Sequence, residues 1–147
     1  MKFDFTTDTA TICIYDLDAL KHRLNDDADW WSIEEDELEE VNQGNVCFVT
    51  IGSDGKYLVE IINSNTNNNL NFVRCNIKVP SGRVFIGAGE EVTSDGLEPE
   101  CISGGTFINL KPNNYLVTLY RVNDYALSIT FEPSKEKNNQ FKGRLRL

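Results

Sequence analysis

The sequence predicts a mainly β fold: a single-domain antiparallel β-sandwich or open barrel, with two short helices in its N-terminal third. Three observations predict it. Apolar, strand-like runs return about every ten residues, turn phrases such as Pro80-Ser81-Gly82 separate them, and helical periodicity is confined to the first third. The 147 residues suit one domain with one ordinary core, burying about 68–70% of the unfolded surface.

The first strand is ATICIY (10–15), which alternates apolar with small or polar residues. Asp16 then caps a short helix in LDALKHRL, where Leu17, Leu20 and Leu24 recur as one apolar stripe. Ser32 with Glu35 forms a capping-box pattern, and Gly44 sits where a left-handed residue is wanted, so the second helix is expected from about 33 to 42. NVCFVTIG and SDGKYLVEII flank Asp54-Gly55, which predicts a hairpin. The asparagine-rich 63–71 reads as an exposed loop. Beyond it FVRCNIKV, RVFIGAGEEVTS, TFINL, YLVTLYRV and ALSITFEP complete the strands, with turns at LKPNNY (110–115) and VNDYA (122–126). FKGRLRL reads as an edge strand with Lys142, Arg144 and Arg146 on one solvated face.

Catalytic chemistry finds little support in the residues present. His22 is the one histidine, lies in a basic KHR phrase and has no nucleophile partner at a known spacing, so it reads as a surface residue. The GAG at 87–89 precedes two glutamates and not a helix, so it is a turn or bulge and not a phosphate cradle. Cys13, Cys47, Cys75 and Cys101 are widely spaced and mostly set in apolar runs, which predicts reduced core thiols and no zinc site. Asp26, Asp27 and Asp29 lack the spacing of a calcium loop and would collect that ion only weakly. The expectation is therefore no enzyme and no cofactor. With neither a signal-like N-terminus nor a long apolar run, the expected location is the cytoplasm.

Charge is more informative. The chain holds 23 acids and 14 bases, and residues 25–40, NDDADWWSIEEDELEE, contain nine acids and no base, leaving fourteen against fourteen elsewhere. Such a patch repels nucleic acid and acidic membranes and attracts a basic macromolecule. At about 100° per residue, Ile33, Leu38 and Val41 share one face of the second helix while Glu35, Asp36, Glu39 and Glu40 share the other. Like-charged pairs at 35/39 and 36/40 cost a few tenths of a kcal/mol each, a penalty that solubility alone does not require. Of Trp30 and Trp31, one is expected to anchor the helix and the other to stay partly exposed beside the acids.

The order of strand, tryptophan-led acidic helix, VCFVTIG/KYLVEII, NIKVP and INLKPNNYLVTLYRV, over residues 10–131, resembles the small competence-associated nuclease inhibitors of bacteria and related immunity-type proteins. That resemblance implies stoichiometric inhibition of a basic nuclease or toxin. Charge and resemblance together predict a non-enzymatic acidic binding protein whose contacts are Asp26, Asp27, Asp29, Trp30, Glu35, Asp36, Glu39 and Glu40. The alternative is a structural or regulatory β-domain that self-associates or docks through strand edges or the exposed tryptophan.

Overall fold

The protein is described from a computed structural model that covers residues 1–93 and 98–147. Its strands are β1 (Lys2–Thr7), β2 (Thr11–Asp16), β3 (Cys47–Thr50), β4 (Gly55–Ile61), β5 (Phe72–Val79), β6 (Arg83–Ala88), β7 (Thr106–Asn109), β8 (Asn113–Asn123), β9 (Ala126–Pro133) and β10 (Leu145–Arg146). They form two five-stranded mixed sheets, ordered β1-β4-β9-β8-β5 and β10-β3-β2-β6-β7. The β4–β9 and β10–β3 pairs are parallel and the rest antiparallel. This is the expected sandwich, and the sheets do not close into a barrel. Strand β1 had no counterpart among the expected strands, and the run expected to reach Ser94 ends its strand at Ala88, with Ser94 outside the described residues.

The expected hairpin across Asp54-Gly55 does not form. β3 pairs with β2 and β10, whereas β4 pairs with β1 and β9, so residues 51–54 carry the chain from one sheet to the other. The Tyr57 hydroxyl fixes this corner by donating to the Ser53 carbonyl at 2.6 Å. Corners 8–10, 80–82 and 110–112 likewise switch sheets. At 80–82 the turn needs Gly82 at φ +88, where a Cβ would overlap the Leu110 carbonyl oxygen.

Burial separates the two sheets. β2 is buried at every residue, and Cys47, Phe48 and Val49 of β3 are buried in succession. Their sheet is covered on one face by the first sheet and on the other by helical segments. The first sheet leaves its outer face in water, so β4 alternates, with Tyr57 and Val59 inside and Lys56 and Leu58 exposed. Asp16, fully buried, ties the layers together. It accepts from Asp18 N at 2.9 Å, capping the 3₁₀ helix Leu17–Arg23, and from Ser81 N, Ser81 Oγ and Gly82 N at 2.7–2.9 Å.

The helix α1 spans Glu34–Asn42 and ends through Gly44 at φ +75, as expected. Its start differs. Ser32 belongs to a 3₁₀ turn, Trp30–Ser32, and Ile33 occupies the N-cap without a side-chain bond, so the capping box is not made. That tight turn lets both tryptophans pack, Trp30 at 3% exposure and Trp31 stacked on Phe48 with centroids 5.4 Å apart. Trp30 is the buried anchor, and Trp31 stays partly exposed, as expected, with one face stacked on the sheet. The residues after β9, 134–147, form a strap that crosses α1 and ends as β10 on the edge of β3. Among the described residues, no helix is long and apolar enough to cross a membrane.

Candidate functional site: an acidic face with its own arginines

The helical layer gathers part of the acidic segment around one shallow cleft of about 230 Å³. Asp26, Asp27, Asp29 and Asp36 line it together with Arg23, Trp30 and Ile33. Thus five of the eight expected contact residues line a single depression. Glu35 and Glu39 are exposed on α1 nearby. Two roomier clefts, one of about 350 Å³ beside Tyr15 and Leu20 and one of about 470 Å³ beside Asn139, hold fewer carboxylates.

Trp30 and Glu40 leave the set of residues offered to a partner. Trp30 is buried beneath the segment, its Nε1 donating to Thr93 Oγ1 at 3.0 Å, so it supports the cleft from below. Glu40 is 2% exposed and is used internally. His22 Nε2 lies 2.7 Å from its Oε1, Arg23 Nε donates to Oε1 at 3.1 Å, and Asn45 Nδ2 donates to Oε2 at 2.8 Å. His22 is exposed, as expected, and its ring supports the buried acid.

The helical wheel explains the shift. The buried residues of α1 are Glu37, Glu40 and Val41, while Ile33 is 51% exposed. Glu37 projects between Ile33 and Val41, so the inward face carries two carboxylates, each met by an arginine. Arg144 Nε stands 2.9 Å from Glu37 Oε2, which corrects the expectation that Arg144 sits on a solvated face with Lys142 and Arg146. Burial lifts the Glu37 carboxyl from its usual range to about 7, against the opposing pull of Arg144.

Arg23 also reaches the outer acids. Its Nη1 donates to Asp26 at 3.0 Å, and Nη2 lies 3.8 Å from Asp36 and 3.7 Å from Glu39. Burial disfavours its charge, but Asp26, Glu40 and Asp36 outweigh that and hold the guanidinium above its usual range. Among the described residues, Asp27, Asp29, Glu34 and Glu35 have no salt bridge. With Glu37 and Glu40 turned inward, the seven remaining acids of the segment meet only Arg23 and still make a negative face, although a less naked one than the bare sequence implies. Among those residues no three His, Cys, Asp or Glu side chains converge as a metal site.

Arg23, Arg144 and Glu37 escaped the sequence reading. The wheel position of Glu37 between two apolar residues was a readable sign; nothing local shows that residue 144 folds back onto residue 37.

Two solved structures share this fold. ComJ from Bacillus subtilis, an inhibitor of the DNA-degrading activity of NucA, is 12% identical at a TM-score of 0.55, over 91% of this chain and 96% of its own. The protein described as crocagin biosynthetic gene J is 14% identical at 0.56, over 92% and 96%. At these identities the likeness is one of fold. No curated protein sequence matches. Residues 1–147 match throughout the model of the family of unknown function DUF6386, and the chain belongs to that family.

Proposed function

We propose that this protein is a non-enzymatic inhibitor or immunity protein that neutralises a basic nuclease or toxin by stoichiometric binding. The observation that carries the reading is the clustering of Asp26, Asp27, Asp29 and Asp36 around one cleft on a layer anchored to a rigid sandwich. A lysine or arginine of the partner entering that cleft would meet four carboxylates beside Trp30, with Glu35 and Glu39 exposed on the same helix. Nuclease clefts are basic because they hold phosphate, so an acidic face steers association and occupies the site without chemistry. The fold shared with ComJ, a nuclease inhibitor, supports this class of partner.

The test is charge reversal of Asp27, Asp29 and Glu35 together, which leaves the Arg23 and Arg144 pairs intact. Measured against a candidate basic nuclease by stopped-flow, the variant should associate at least about tenfold more slowly at low salt, with a flattened salt dependence. An unchanged rate and unchanged salt dependence would remove the acidic face from the account.

A further inference from the structure

The outermost strands of the two sheets differ in how their outer backbone is covered. On β1, the Asp4 carbonyl accepts from Gly105 N at 2.8 Å and Thr6 N donates to the Ser103 carbonyl at 2.7 Å. β5 is covered by Asn139 and by the Gly44 carbonyl, and β10 is only two residues long. β7 has no such cover. Leu110 N donates to the Gly82 carbonyl at 2.8 Å and Ile108 lies opposite Val84, so by the antiparallel alternation Thr106 and Ile108 turn their backbone groups toward β6, whereas Phe107 and Asn109 turn theirs away from it. Among the described residues those two outward N–H groups have no acceptor. Of the two outward carbonyls, only that of Phe107 has a contact, a long one of 3.4 Å from Thr106 Oγ1. The strand TFIN also carries none of the charges that discourage pairing at an edge.

We propose that β7 is a self-association edge, pairing antiparallel with β7 of a second copy of the chain about a two-fold axis at Ile108. The free groups recur two residues apart, and this register sets Phe107 of each copy opposite Asn109 of the other. Each edge then answers both N–H and both C=O groups of its twin. Ile108 meets its own equivalent at the closely spaced position between those bonds, where apolar cross-strand pairs gain most. A second copy suits the edge better than a basic strand, because nothing on Thr106–Asn109 is negative and self-pairing brings no like charges together. The sheet β10-β3-β2-β6-β7 would run on through the axis into that of the second copy. The inference stands apart from the acidic-face reading, because α1 packs on β3, at the other side of that sheet from β7.

Sedimentation equilibrium of the native protein from about 1 µM to about 1 mM tests it, together with amide exchange at both ends of that range. The protein should pass from one to two chain masses, and the Phe107 and Asn109 amides should exchange at least about tenfold more slowly at the high end. Asn109→Pro removes one outward donor and leaves the bonds to β6 in place, so it should weaken self-association at least about tenfold, whereas Asn109→Ala, which keeps the N–H, should not. A single chain mass throughout overturns the proposal. So does a dimer in which the Phe107 and Asn109 amides gain no protection, or one that Asn109→Pro leaves unchanged, since the copies would then meet elsewhere. Should the proline variant not fold, the exchange of those two amides in the native protein still decides.

Discussion

Arg23 governs how much of the acidic segment another molecule can use. Its four carboxylate partners are not equivalent: the Asp26 and Glu39 side chains are 43% and 57% exposed, and such pairs contribute roughly 0–1 kcal/mol, whereas Glu40 is out of water. The energetic purpose of Arg23 is therefore to supply a hydrogen-bonded partner to the buried Glu40 side chain, and its contacts with the outer acids are secondary. Arg23→Met retains the apolar stem over Trp30, now 4.8 Å from the guanidinium carbon, and removes only the charge and donors. Glu40 would then keep His22 and Asn45 alone. Urea denaturation should show a loss of about 3 kcal/mol, near the value for breaking a buried pair by removing one partner. A loss of about 0.5 kcal/mol or less would class the contact with surface bridges.

At the scale of elements, the exposed edge of β5 is protected by a side chain. Asn139 accepts from Asn76 N at 2.8 Å and donates to the Asn76 carbonyl at 2.9 Å, copying the bonds of a neighbouring strand, while Lys78 N donates to the Gly44 carbonyl at 2.7 Å. Asn139→Ala strips partners from Asn76 and from the Val41 carbonyl at once. The expected loss is about 2–4 kcal/mol by urea denaturation, with Asn139→Asp retaining part of it by accepting from Asn76 N. Equal stability of Asn139→Ala and the native protein would mean that water replaces the amide without penalty. The failed hairpin belongs to this scale too. VCFV is apolar without interruption, whereas KYLVEI carries charges at Lys56 and Glu60 and alternates in burial from Lys56 to Val59, a difference that marks a strand covered on both faces beside a strand covered on one. The turn chemistry of Asp54-Gly55 was legible, but the unequal patterns on its two sides carried the topology. The Asp16 cap and the bend at Gly44 were legible because each depends on neighbours within a few residues.

For the whole molecule, the positions of most strands, though not of β1, and the location of the negative charge were readable because both are local properties. Neither the sheet order nor the strap was, since pairs such as Arg144 with Glu37 and Asn139 with Asn76 join distant residues whose identities carry no mutual code. The candidate face was correspondingly half legible: Asp26, Asp27, Asp29, Glu35, Asp36 and Glu39 stand on or beside one depression, while Trp30 and Glu40 serve the interior. The four free cysteines offer a probe of how these parts hold together. Cys13 lies on β2 and Cys47 on β3 of one sheet, and Cys75 on β5 of the other; all three are buried, whereas Cys101 is half-exposed and outside the strands. Burial pushes the Cys13 thiol well above its usual range, and the Cys47 thiol beside Cys75, together with burial, does the same there, so neither reacts as thiolate inside the fold. A single cooperative core requires that the three become reactive only together. With an aromatic disulfide reagent at pH 8, one equivalent should react promptly and three should follow in one slow phase, whose rate climbs in step with the unfolding rate as urea is added. Separate slow phases for Cys75 and for the Cys13–Cys47 pair would show instead that the two sheets part before either unfolds.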